Sequence, residues 1–103
     1  LSNIVDNLFP EDALLLLNEG ARVLKTGGKA LIKLNPYLAQ EQIAAWDIKT
    51  ISGNLLDDGL LLWNNTTEEW RVLFKPYFTT YREAEIYYPE HEQTNRLFYL
   101  VKV

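Results

Sequence analysis

The sequence predicts an α/β fold, and three observations carry the prediction. A strongly amphipathic stretch ends in a glycine pair and runs into a short apolar segment, the second half of a strand–helix–strand crossover. Helical and extended patterns then alternate along the chain. The last two extended runs are joined by a polar connection, Pro89 to Gln93, which predicts an antiparallel pair.

Leu1 to Val5 is short and apolar and reads as the tail of a strand. Pro10 to Lys25 reads as a helix. Pro10 suits the first turn, where its missing N–H is not needed. Glu11 and Asp12 complement the positive end of the helix dipole. Ala13, Leu14, Leu17, Ala21 and Leu24 recur at helical spacing, and Gly27-Gly28 supplies the left-handed backbone that ends a helix. Lys29 to Leu34 reads as an interior strand, apolar on both faces except for its lysines. Asn35-Pro36-Tyr37 breaks it. Leu38 to Trp46 reads as a short helix, and Asp47 to Asn64 as a hairpin with its turn around Asn54 to Gly59. Thr66 and Glu69 have capping-box spacing, so a helix starts there. Trp70, Leu73 and Phe74 form its apolar face, and Pro76 stops it. Thr79 to Tyr88 and Thr94 to Val103 read as strands. In the second, Leu97, Tyr99, Val101 and Val103 alternate with Arg96, Phe98, Leu100 and Lys102.

The chain of 103 residues is 48% apolar and 23% charged, which argues for one packed domain over residues 1–103 and against disorder. Net charge is −4, and the ten basic residues are scattered, so no footprint for nucleic acid is evident. With no cysteine and one histidine, His91, in a charged turn, no metal site is expected. There is no leader pattern and no apolar stretch long enough to span a bilayer, so no membrane partner is expected and the location is read as cytoplasmic. The chain holds no Met and begins Leu1-Ser2-Asn3, which reads as a piece cut from something longer.

The run from Phe9-Pro10-Glu11-Asp12-Ala13 through Arg22-Val23-Leu24-Lys25-Thr26-Gly27-Gly28-Lys29 resembles class I, Rossmann-like S-adenosylmethionine-dependent methyltransferases. In that family a helix ends in Arg-Val-Leu-Lys-Pro-Gly-Gly and enters the fifth strand; here Thr26 stands in place of the Pro. The family also closes with a helix, a sixth strand and an antiparallel seventh, the order read over residues 66–103. The resemblance implies the C-terminal half of the methyltransferase fold. Its strands would form a mixed sheet in the order 5-7-6, with the last strand antiparallel, flanking helices and an inserted β-hairpin. Residues 38–64 would be the insertion, a substrate lid. The family's glycine-rich loop and ribose-binding acid would lie upstream, so the fragment alone is expected to lack the main cofactor-binding loop.

The resemblance also implies sites. Ser2 and Asn3, at the carboxyl end of the fourth strand, would line the S-adenosylmethionine cleft. Asn35 and Tyr37, leaving the fifth strand at the same edge, would meet the substrate, with Trp63 as a pocket aromatic. Trp46 and Trp63 could be lid or pocket aromatics, but aromatics at this density are more often core. Glu83 and Glu85 share a strand face and read as solvated. No catalytic residue is assigned. Methyl transfer asks the protein to align reactants and exclude water, which needs no strong acid–base set. The acceptor implied is a small molecule. The alternative is a non-catalytic protein-interaction or dimerisation module of the same fold, a homodimer pairing through its exposed sheet edge.

Overall fold

The computed structural model describes residues 5–57 and 59–103. A single 3-10 turn, Val5–Asn7, precedes helix α1, Pro10–Val23. Pro10 sits in the first turn, and Ala13 N–H donates to the Phe9 carbonyl at 2.9 Å. Ala13, Leu17 and Ala21 are the buried stripe, whereas Leu14, expected on it, lies at the rim with 37% of its surface exposed.

Helix α1 stops at Val23, short of the glycines. The glycine pair does not cap the helix; it builds the separate turn that follows. Gly28 N–H donates to the Lys25 carbonyl at 2.7 Å, and Gly27 takes φ +83°. A Cβ on Gly28 would stand 2.8 Å from the Lys25 oxygen, so both positions require glycine for different reasons. The turn is stitched to the end of the chain: Gly27 N–H donates to the Lys102 carbonyl, and Lys102 N–H to the Gly28 carbonyl.

Strand β1, Lys29–Leu34, leads to α2, Gln40–Ala45, and then to a small sheet of β2, Lys49–Ser52, β3, Leu55–Asp57, and β4, Leu61–Trp63. Helix α3, Thr67–Phe74, is followed by β5, Phe78–Tyr88, and β6, Gln93–Lys102. The larger sheet has the order β1-β6-β5. Both pairings in it are antiparallel, with Ile32 opposite Phe98 and Ala30 opposite Leu100. The expected mixed sheet is thus antiparallel among the described residues. The reason is geometric: β1 and β5 run parallel to each other, but β6 lies between them, so they do not pair.

Alternation puts Ile32, Leu34, Phe98 and Leu100 on one face. There they form one core with Ala13, Leu17 and Ala21 of α1 and Trp70 and Phe74 of α3. An aromatic run crosses this core: Trp63 meets Trp70 edge-on at 5.3 Å, Trp70 stacks on Phe74 at 5.5 Å, and Phe74 meets Phe98 edge-on at 5.1 Å. The fully buried Phe74 and Phe98 rings each contribute about 1.5–3 kcal/mol by burial. The opposite face carries cations laid over tyrosines, with Lys33 over Tyr88 at 4.6 Å and Arg82 over Tyr99 at 5.1 Å.

Helix α3 starts as its sequence dictates. Glu69 N–H donates to Thr66 Oγ1 at 3.1 Å, and Thr66 N–H to Glu69 Oε1 at 2.8 Å. Its Arg71 grips Glu83 of β5 with two bonds of 2.7 and 2.8 Å, so Glu83 is paired rather than merely solvated. The guanidinium holds the Glu83 carboxyl below its usual range.

The expected hairpin over 47–64 is instead a three-strand meander, β2-β3-β4, antiparallel throughout. The extra strand arises because Gly53, at φ +56°, turns the chain before Leu55, and Gly59, at φ +105°, turns it again. Leu56 and Leu62 pack with Leu38 in a second small core, against Ile43 and Ile48.

Replacing Gly28 by Ala should cost about 1–3 kcal/mol, because the Lys25 carbonyl is backbone and must shift. Trp70→Ala should cost about 3–5 kcal/mol through the cavity left in the aromatic run. Urea midpoints of the two variants against the parent chain check both.

Candidate functional site

The carboxyl ends of β1 and β5 and the start of β6 lie at the same edge of the sheet, because β6 runs antiparallel to both. Beyond that edge the chain leaves β1 as Asn35-Pro36-Tyr37, and two distant segments close on Asn35.

Asp6, fully buried, accepts from the Asn35 backbone N–H at 2.8 Å and from Asn35 Nδ2 at 3.2 Å, both at Oδ2. Asn7 Oδ1 accepts from the same Nδ2 at 3.4 Å, and Asn7 Nδ2 donates to the Leu61 carbonyl at 2.8 Å. From the other side, Arg96 donates to the Asn35 carbonyl through Nη2 at 2.6 Å and Nε at 3.1 Å. Its Nη1 donates to the Asn65 carbonyl at 3.1 Å and to Thr67 Oγ1 at 3.3 Å. One residue is therefore held at its amide, carbonyl and side chain at once. Burial pushes the Asp6 carboxyl up, against the Asn35 hydrogen bonds and the Arg96 charge. Burial likewise pushes the Arg96 guanidinium down, opposed by Asp6 and Glu85. Arg96 stays charged, since a guanidinium does not lose its proton in a protein.

Asn64 fastens the next stretch. Its Oδ1 accepts from Leu38 N–H and its Nδ2 donates to the Leu38 carbonyl, both at 2.9 Å, as a strand partner would. Asn54 Nδ2 donates to Asn65 Oδ1 at 2.6 Å. Asparagine side chains thus join the small sheet to the loop after β1.

Between these pieces lies a cavity of about 630 Å³. That is within the roughly 300–1,000 Å³ of small-molecule sites. Asn7, Asn35, Gln42 and Gln93 bring carboxamides to it, Leu38 and Leu62 an apolar floor, and Trp46 and Glu92 also line it. Trp46 closes α2 and is 61% exposed. Gln42 also reaches back to the Ala39 N–H at 2.8 Å and so caps α2.

Of the residues singled out in the sequence, Asn35 lines the cavity, with its side-chain amide turned to Asp6 and Asn7. Tyr37 is exposed and does not line it. Trp63 packs on Trp70 against the main core, and Trp46 is among the residues that line the cavity. Ser2 and Asn3 lie outside the described residues. Sequence reasoning missed Asp6 and Arg96. The available signal was Arg96 itself, a charged residue sharing a strand face with Phe98 and Leu100, which demands a buried partner. Among the described residues no group of His, Cys, Asp and Glu could hold a metal ion, and no described helix is long and apolar enough to cross a membrane.

No protein-family model and no curated protein matches the chain.

An acid whose folded-state pKa is raised favours folding while protonated. That contribution is complete below the ordinary value of 3.8 and is lost as pH rises through the folded value. Asp6→Asn keeps an acceptor for the Asn35 N–H and removes the titration. The stability difference between Asp6→Asn and the parent should therefore move in favour of the variant from about pH 4 to about pH 7, read from urea denaturation across that range. Arg96→Ala should cost about 3–5 kcal/mol, because it leaves the Asn35 and Asn65 carbonyls and the Asp6 carboxylate without their cation.

Proposed function

We propose that the chain is the C-terminal half of a class I, Rossmann-like, S-adenosylmethionine-dependent methyltransferase, and that its cavity holds the methyl acceptor. The observation that carries the reading is the placement of the last strand. Residues 93–102 run antiparallel between 29–34 and 78–88, with α1 and α3 contributing to one core on one face. The reading takes these three strands as the fifth, seventh and sixth of the family, the order that the resemblance implies. The cavity supports it further, because it opens at the carboxyl ends of β1 and β5, where ligands sit in open α/β sheets.

The cofactor supplies an electrophilic methyl group on a cationic sulfur. Ser2 and Asn3 are the residues of this chain that would border it, with most of its contacts made by a preceding half. The chain's own part is to hold the acceptor. Asn35, immobilised by Asp6 and Arg96, sets the wall at the strand end, and Leu38 and Leu62 keep water from the reacting centre. No acid–base pair is required of it. Part of the meander carries the lining too, in keeping with residues 38–64 acting as a substrate cover.

The alternative, a dimerising module without catalysis, draws on one feature: among the described residues β1 pairs along one edge alone. Lys29 and Lys33 lie on that strand, and edge lysines work against strand addition.

The 103 residues alone should bind S-adenosylmethionine negligibly by calorimetry. A polypeptide in which a strand, glycine-rich loop and helix precede them should bind it with micromolar affinity and transfer its labelled methyl group. Micromolar binding by the 103 residues would show that the cofactor site does not need the preceding half. Absence of binding by the longer polypeptide would remove the methyltransferase reading.

A further inference from the structure

We infer that the cavity beyond Asn35 is selective for an organic cation of the alkylammonium class, held between the Trp46 indole and the Glu92 carboxylate. The inference rests on the reading that this cavity receives the acceptor, and adds the charge of the acceptor's anchoring group, the methyl group going to a different atom of it that carries a lone pair.

The lining has a definite sign. Among the described residues that line the cavity, Glu92 is the one charged side chain, and the rest are carboxamides, a threonine, a proline, leucines and Trp46. The Arg96 guanidinium, which holds the Asn35 carbonyl, is buried and spends its donors on the Asn35 and Asn65 carbonyls and on Thr67. It does not line the cavity, so an anion would meet carboxamide donors and no compensating charge. The chain's net charge of −4 biases the surrounding potential the same way.

The two side chains that would hold the cation are uncommitted. Neither Trp46 nor the Glu92 carboxylate makes a side-chain hydrogen bond, ion pair, ring stack or cation–π contact with another described residue. The chain's other two tryptophans are engaged in the aromatic run. A half-open indole face is the best aromatic partner for a desolvated ammonium. Glu92 also occupies a costly backbone state, φ +49° and ψ +47°, closing the 3-10 turn Pro89–His91. Glycine or asparagine would take that conformation more cheaply. A carboxylate placed there at the mouth of a cavity is strain of the kind that accompanies function.

The test uses the 103-residue chain and three probes of one shape: choline, neohexyl alcohol, in which carbon replaces the quaternary nitrogen, and the tert-butylacetate anion. Binding is read by calorimetry and by the indole N–H resonance of Trp46. Choline should bind about tenfold more tightly than either of the others and should move the Trp46 resonance. Trp46→Ala and Glu92→Gln, both at exposed positions, should each weaken choline about three- to tenfold with the circular dichroism unchanged, and leave neohexyl alcohol little altered. Equal binding of choline and neohexyl alcohol would overturn the inference, as would preference for the anion, no choline binding at all, or full choline affinity in both variants. No methyl donor is present in the assay. Choline selectivity alongside failed donor binding in the longer polypeptide would leave the cation site and remove the methyltransferase. The reverse result would leave the methyltransferase with an acceptor of another charge.

Discussion

The arrangement turns on the immobilisation of Asn35. Its amide and side chain are held by Asp6 and its carbonyl by Arg96, so segments near the start, the middle and the end of the chain meet at one peptide. Buried polar groups left without partners are costly, and this network satisfies most of its own members. It also fixes where the chain goes on leaving the sheet. Everything that lines the cavity beyond β1 is referred to that point.

The network has a tension that a purely apolar junction would lack. Asp6 is forced upward by burial, while Asn35 and Arg96 pull it down, and its Oδ1 finds no hydrogen-bond partner among the described residues. Arg96 gains four bonds to neutral groups, and the Asp6 charge is close enough to be felt. Such a pair is weak as a source of stability and strong as a source of register, since a displaced partner would leave a buried charge alone. At the mouth of a cavity proposed to hold a ligand, register is the more useful property.

The two sheets divide the labour. The larger one, with its helices, owns the aromatic core and most of the buried side chains. Among the described residues Leu56 and Leu62 of the meander form a small buried cluster with Leu38, and Asn64 ties the meander to the loop after β1. A thin core with polar fastenings is the less stable part of such a fold, and mobile covers over binding sites are drawn from such parts. In the proposed methyltransferase it is the natural cover for the acceptor.

The sequence by itself determined the elements whose cause is local. Pro10 with its acidic first turn, the Thr66–Glu69 capping box, the alternation through 94–103 and the glycine pair all act within a few residues, and α1, α3, β6 and the turn before β1 follow from them. Tertiary structure decided the rest. Whether Leu14 or Leu17 faced inward depended on where β1 and β6 lay. The split of Trp46 to the cavity and Trp63 to the core depended on how the meander docked. Gly53 turned a hairpin into a meander because Leu56 had a core to enter. The Asp6–Asn35–Arg96 junction joins residues up to 61 apart from Asn35, a separation at which no periodicity carries information and only the packed chain brings charge to charge.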